Sequence, residues 1–167
     1  MTTKTLLLLR HAKSSWKDEG LLDHDRTLND RGRGAARRIG MLLHERQFQI
    51  DLVLSSTAVR TRETAELLFA EWPTTAPIFF RDKLYHAPPA EIVLVLKTIS
   101  NDVKCPLLIG HNPGLEEFVA ALAGEMIPVP TACLIQVALP LESWQEFSRE
   151  TRGQIVNVWR PRELDAD

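Results

Sequence analysis

Cysteine occurs only twice in this chain, at Cys105 and Cys133. Both sit in apolar surroundings without metal-ligand spacing, which excludes a disulfide framework and a thiolate metal site. They read as small core hydrophobes in a reducing compartment. Long apolar runs are also missing. No stretch approaches the length needed to span a bilayer, so no membrane partner is expected. The apolar part of Met1 to Leu9 is too short for a secretory signal, and no small-residue cleavage site follows. Charge of one sign is not in excess: the formal net charge of -2 excludes the strongly basic footprint of a general nucleic-acid binder. Internal repeats, low-complexity segments and linkers are absent. The 167 residues therefore read as one domain, 1–167. With 44% apolar and 25% charged residues, the composition is that of a cytoplasmic globular protein, and nothing in it demands more than a monomer.

One stretch organises what is present: Leu6-Leu7-Leu8-Leu9-Arg10-His11-Ala12-Lys13-Ser14-Ser15-Trp16. A short apolar run bounded by polar residues suits a strand buried on both faces of a sheet. As the first strand of an open α/β sheet, it delivers Arg10 and His11 at its carboxyl end, where such sheets place ligands. A permanent cation beside an imidazole that can be neutral near pH 7 makes an anion site containing a nucleophile. Alone, the pair equally suits the water-facing end of a strand. Later stretches change that balance.

After Trp16 a polar loop through Asp23-His24-Asp25-Arg26 leads back over this strand end. Asn29 is the expected N-cap of a helix that carries Ala35, Ile39, Leu42 and Leu43 and runs to about Gln47. Gly32 in its first turn permits close approach to a neighbour. Arg31, Arg33, Arg37 and Arg38 read as a solvated helix face. Asp51 to Leu54 forms a second strand, and Ser55-Ser56 caps the next helix. That helix carries Arg60 in its first turn and stops before Pro73. Ile78 to Phe80 is a short strand, and Pro88-Pro89 opens a helix through Ile99. Leu107 to Gly110 is a strand, followed by His111-Asn112-Pro113-Gly114. Here Asn112 suits an N-cap and Pro113 a first helical position, so a positive helix end lies beside His111. Leu134 to Leu139 and Gln154 to Trp159 complete the strands; the segment between them is too short for a helix, which suits an antiparallel pair. Residues 161–167 read as a frayed tail. Alternating strands and helices describe an α/β sandwich.

Arg10 with His11, Arg60, and His111 thus recur at strand ends on one edge of the sheet. Two guanidinium groups, two imidazoles and a helix N-terminus suit a phosphoryl group, whose charge must be stabilised as it transfers. These residues also carry a resemblance. Arg10-His11-Ala12, followed by Ser14 and Trp16, resembles the Arg-His-Gly signature of the histidine phosphatase superfamily, with Ala12 in the glycine position. Residues 10–16 are specifically similar to its small phosphohistidine phosphatase (SixA-type) branch. Further matches are Asp25-Arg26-Thr27-Leu28 with Arg31-Gly32, Ser56 to Arg60 with Thr61, Glu63 and Thr64, Leu84-Tyr85, Gly110-His111-Asn112-Pro113, and Pro130-Thr131-Ala132. They span nearly the whole chain in the right order.

The resemblance implies a phosphoglycerate mutase-like fold: a three-layer α/β sandwich whose mostly parallel central sheet is flanked by helices, with one antiparallel strand near the C-terminus. It implies that His11 is the nucleophile and forms a phosphohistidine intermediate. Arg10 and Arg60 would clamp the phosphoryl oxygens, His111 would hydrogen-bond the same group, and water would release phosphate without a metal or other cofactor. Ser14, Lys17 and His86 are further candidates for contact with substrate. Three departures matter. Thr57 stands where proline is usual, Lys17 where the mutase branch has a substrate-contacting asparagine, and the region of Tyr85-His86 lacks the acid of ester-cleaving relatives. Glu91 lies near in sequence but on the next helix. Such an acid is worth on the order of 10²–10⁴ in rate for an alkoxide leaving group; a phosphorylated imidazole asks less, because it can leave as neutral imidazole. The expected substrate is therefore a phosphohistidine borne by a protein such as a histidine phosphotransfer domain. A small-molecule phosphomonoesterase is the alternative, and a non-catalytic phosphate-binding module the weakest reading. Among other residues, Trp16 is expected to pack beneath the site, His24 and His44 to lie at the surface, and Trp72, Trp144 and Trp159 to pack in the core or at its edge.

Overall fold

The four leucines at 6–9 are fully buried in the computed structural model, which describes residues 3–164, and their alternation sets the layers. They belong to strand β1 (Lys4–Arg10). Successive side chains of a strand point to opposite faces. Leu6 and Leu8 pack with Ile92 and Leu96 of helix α3 (Pro89–Leu96) and with Phe118 and Val119 of α4 (Gly114–Ala123). Leu7 and Leu9 pack instead with Ile39 and Leu43 of α1 (Asp30–Glu45) and Leu68 of α2 (Val59–Glu71). Each such burial stabilises the fold by roughly 1.5–3 kcal/mol relative to exposure. The result is the expected three-layer sandwich.

The sheet also contains β2 (Leu52–Ser56), β3 (Ile78–Arg81), β4 (Pro106–Gly110), β5 (Leu134–Leu139) and β6 (Gln154–Trp159), in the order β3-β2-β4-β1-β5-β6. Parallel pairing joins β1 to β4, β4 to β2 and β2 to β3. β5 is antiparallel to both β1 and β6, the one strand that runs against the others. Trp72, Trp144 and Trp159 are buried as expected. No helix among the described residues is long and apolar enough to cross a membrane.

Several local expectations are corrected. Ser55 and Ser56 do not leave the sheet to cap α2; their pairing with β3 keeps both in the ladder, fully buried. Ala58 takes the cap position, and its N–H donates to the Ser56 hydroxyl at 3.2 Å. Helix α1 stops at Glu45, and Gln47 turns the chain with φ of 53°. Asn112 does not cap α4. Pro113 occupies the cap position and Gly114 begins the helix, while the Asn112 amide donates to the Val129 carbonyl at 2.9 Å and to Glu116 at 3.2 Å. Pro161–Leu164, expected to fray, forms a short helix α5; the rest of the expected tail, 165–167, lies outside the described residues.

Two glycines allow elements to touch. A Cβ on Gly32 would lie 2.0 Å from the Lys13 carbonyl oxygen, and one on Gly114 would lie 1.7 Å from that of Ala87. The second contact locks the start of α4 against the segment that leads into α3. Gly114→Ala should therefore lower stability by about 1–3 kcal/mol, because backbone has to move. Gly34→Ala, at an α1 position with nothing within 4 Å, should raise it by about 0.5–1 kcal/mol through helix propensity. Urea denaturation of the two variants checks the pair, and equal effects would contradict the contact.

Candidate active site

The register of the parallel strands builds the site. Arg10 pairs with Gly110, so His11 and His111 leave β1 and β4 at the same level. Ser55 of β2 pairs with Ile109, which puts Ser56 beside the same edge. Consequently the His11 and His111 rings lie 5.2 Å apart between centroids, and His111 Nε2 pairs with the Ser56 hydroxyl at 2.8 Å. Ala132, at φ of 59°, points its N–H at the carbonyls of both Arg10 and His11, each at 3.0 Å, and so fixes the turn that carries them. From the other side, the Thr64 hydroxyl accepts from the Ala12 N–H at 3.1 Å and donates to the Arg60 carbonyl at 2.7 Å. The Ala132 and Thr64 positions singled out in the sequence thus hold the backbone on either side of His11.

His11 is 7% exposed, and its Nδ1 lies 2.7 Å from the Ala12 carbonyl oxygen. A carbonyl can only accept, so Nδ1 carries the hydrogen and Nε2 keeps a free lone pair. Burial pushes the imidazole pKa down to about 3; the Ala12 hydrogen bond opposes this, and the charges of Arg60, Arg10 and Arg26 add to it. His111 is driven down to about 2, again by burial first and then by His11, Arg60 and His86. Its buried Nδ1 has no partner among the described residues. Both imidazoles are therefore neutral at pH 7, and His11 Nε2 presents a lone pair without first losing a proton.

Arg60 is 3% exposed and lies against Asp23, a residue that sequence reasoning placed only in a loop. Its Nη1 donates to the Asp23 carbonyl at 2.7 Å and its Nη2 to the carboxylate at 3.0 Å. The same carboxylate accepts from Arg26 and from His86 Nε2, each at 3.0 Å, and from the Tyr85 hydroxyl. Burial alone would raise the Asp23 pKa, but these four donors hold it well below the usual carboxylate range. The polar run Asp23-His24-Asp25-Arg26 was the available signal, though spacing alone does not say which carboxylate turns inward. His86 completes the cluster. It adopts φ of 51°, a conformation costing a non-glycine residue about 1–3 kcal/mol, and its ring stacks on His111 at 5.2 Å.

The remaining candidates fall around this centre. Arg10 Nη1 donates to the Val129 carbonyl at 3.2 Å, and its charge reaches both His11 and Arg60. The Ser14 hydroxyl accepts from Arg26 Nη2, which ties the loop down rather than leaving the hydroxyl free. Lys17 is exposed, and among the described residues only its backbone N–H makes a hydrogen bond, to Ser15 Oγ. Glu91 lies on α3, as expected. His44 is exposed. Two expectations are corrected. Trp16 does not pack beneath the site: it is 75% exposed, with the Arg26 guanidinium 3.2 Å over its ring. Arg26 fills the space beneath because it must reach Ser14, Ser15 and Asp23 together. His24 is half-buried rather than free at the surface, paired with the Thr57 hydroxyl at 2.9 Å and edge-on to Tyr85.

Comparisons with known proteins bear on the family of this chain. Residues 6–85 match the model of the histidine phosphatase superfamily, branch 1. A Mycobacterium leprae protein of uncharacterised function is 36% identical over 166 residues, covering 92% of this chain and 100% of that protein. The crystal structure of an Agrobacterium tumefaciens protein assigned as the phosphohistidine phosphatase SixA superposes with a TM-score of 0.80 at 30% identity, covering 96% of this chain and 100% of that one. The protein histidine phosphatase SixA complexed with tungstate shares the fold, with a TM-score of 0.82 at 21% identity over 96% and 99% of the two chains. The chain belongs to the histidine phosphatase superfamily. Within it, sequence and fold place the chain in the SixA-type branch.

The depressed histidines predict a pH dependence. Between about pH 6.5 and about pH 3 the unfolded chain takes up a proton that folded His11 does not, so the His11 contribution to stability is lost as pH drops through that window and is constant above it. Imidazole resonances of His11 and His111 followed by NMR should stay constant from about pH 8 to about pH 5. A midpoint near 6.5 for either residue would contradict the buried neutral pair.

Proposed function

We propose that this protein hydrolyses phosphohistidine carried on another protein, by way of a phosphorylated His11. The observation that carries the proposal is the pairing of a neutral, hydrogen-bonded nucleophile with a carboxylate that cannot act as an acid. In the proposed reaction His11 Nε2 attacks phosphorus while its Nδ1–H stays on the Ala12 carbonyl. The phosphorus–nitrogen bond of the substrate breaks, and a substrate imidazole already protonated on its other nitrogen leaves neutral. Arg10 and Arg60 balance the charge on the phosphoryl oxygens, and the unpartnered Nδ1 of His111 is available to the same group. Water then attacks phosphorus, the bond to Nε2 breaks, and phosphate departs with the water's proton on the phosphate or in solvent. His11 returns to its starting tautomer. Because the guanidinium groups supply the positive charge, no step calls for a metal.

Asp23 supports the choice of a phosphoramidate over an ester. It is the carboxylate that reaches the cluster, and four donors keep it ionised. An alkoxide would find no proton there, whereas an imidazole leaving group does not need one. One contact favours the phosphomonoesterase reading: His86 Nε2 on Asp23 forms a dyad that can hold a proton beside His111. The two readings differ in what they ask of that residue. His86→Ala should leave cleavage of phosphohistidine within about threefold, whereas ester hydrolysis depending on the dyad would fall by about 10² or more.

The direct test incubates the protein with a phosphohistidine-bearing phosphotransfer domain in the presence of chelator. Phosphate loss should exceed that with His11→Ala by at least about 10³-fold. Turnover no faster than with the variant, or rates on sugar and nucleotide phosphates well above those on the phosphoprotein, would overturn the reading.

A further inference from the structure

Arg10 has a second side. Away from His11 it forms part of the wall of a groove of about 780 Å³, shared with Lys13, Arg31, Arg160 and Arg162. That volume is far more than one phosphoryl group requires. Among the described residues the same groove holds two carboxylates, and both are already engaged. Glu116 accepts from the Val129 N–H at 3.1 Å and from Asn112 at 3.2 Å, and Glu163 faces Arg160 at 3.5 Å. Lys13, Arg31 and Arg162 are exposed, and none of them has an ion pair among the described residues. Five cations against two occupied carboxylates give a positive field on a chain whose net charge is -2.

Two buried polar atoms belong to groove residues and lack partners among the described residues: Arg10 Nε and Asn112 Oδ1. Pro128, Pro130 and Pro161 give the remaining walls an apolar and stiff character, suited to a packed side chain rather than a mobile ion. Since Arg10 borders both the groove and the proposed phosphoryl site, an occupant of the groove lies next to the reacting phosphorus. A small phosphate ester would not fill both. A folded protein carrying phosphohistidine on a helix could.

We propose that this groove docks an acidic face of the phosphohistidine-carrying protein, next to the phosphorylated side chain. The inference rests on the reading that the substrate is protein-borne. It adds a specificity surface made of Arg31 and Arg162, residues that stand apart from the proposed chemistry. Opposite charge on the partner steers encounter and fixes orientation, so its effect lies in KM and in salt dependence.

The test measures kcat/KM for two substrates, a phosphohistidine phosphotransfer domain with an acidic surface and free phosphoimidazole. The proteins are the wild type, the Arg31→Glu/Arg162→Glu double variant, and the milder Arg31→Gln/Arg162→Gln pair. Charge reversal should lower kcat/KM on the phosphoprotein at least about tenfold, through KM, with the glutamine pair in between. Phosphoimidazole turnover should stay within about twofold, which also reports that the variants are folded. Raising salt from about 20 to about 300 mM should weaken wild-type action on the phosphoprotein more than that of the charge-reversed variant. Wild-type turnover of the phosphoprotein with unchanged kinetics in both double variants would overturn the groove and leave the proposed function standing. An equal fall on both substrates would also overturn it. No wild-type turnover of the phosphoprotein would remove the functional reading and the groove together.

Discussion

The hydrogen bond from His11 Nδ1 to the Ala12 carbonyl is the contact on which the rest of this structure depends. It selects the tautomer, and the tautomer decides which nitrogen keeps a free lone pair. The bond holds only because the backbone around it is fixed from several directions. The Ala12 N–H is tied to Thr64, and the Arg10 and His11 carbonyls are both tied to Ala132. Gly32 lets α1 press against the Lys13 carbonyl just beyond. Each support comes from a different part of the chain, so the fold is what makes the imidazole usable.

Electrostatics around this imidazole divide into two kinds. Burial and nearby guanidinium groups keep His11 and His111 neutral, whereas hydrogen bonds keep Asp23 ionised in the same small region. A neutral imidazole beside permanent cations is the arrangement that the proposed phosphoryl transfer needs. The ionised Asp23 carboxylate, bound to Arg60, holds that guanidinium in place. The arrangement separates charge stabilisation from proton donation, and it is the second of these that the site supplies sparingly.

Much of this was legible in the sequence. The leucine run and the strand-end residues indicated both the sheet and the edge where His11 and His111 emerge, because burial on two faces and strand direction are local signals. Strands β5 and β6 fell at the ranges expected for them. What was not legible depended on partners distant in sequence. Ser55 and Ser56 look like caps until a neighbouring strand claims them. Asn112 looks like a cap until Val129 and Glu116 claim its amide. Asp23 is one of several acidic residues in a polar loop, and only the positions of Arg60, Tyr85 and His86 select it. Trp16 misled because large aromatic side chains usually pack inward, whereas here an arginine with three loop contacts takes the interior place.

The most direct measurement of the central claim is the position of the phosphoryl group on the trapped intermediate. Brief exposure to a phosphoramidate donor, followed by alkaline quench and correlated ³¹P–¹H NMR, distinguishes the two ring nitrogens. The structure predicts phosphorylation at Nε2 of His11, with Nδ1 still hydrogen-bonded to the Ala12 carbonyl. Phosphate on Nδ1, or on His111 or His86 in place of His11, would contradict it.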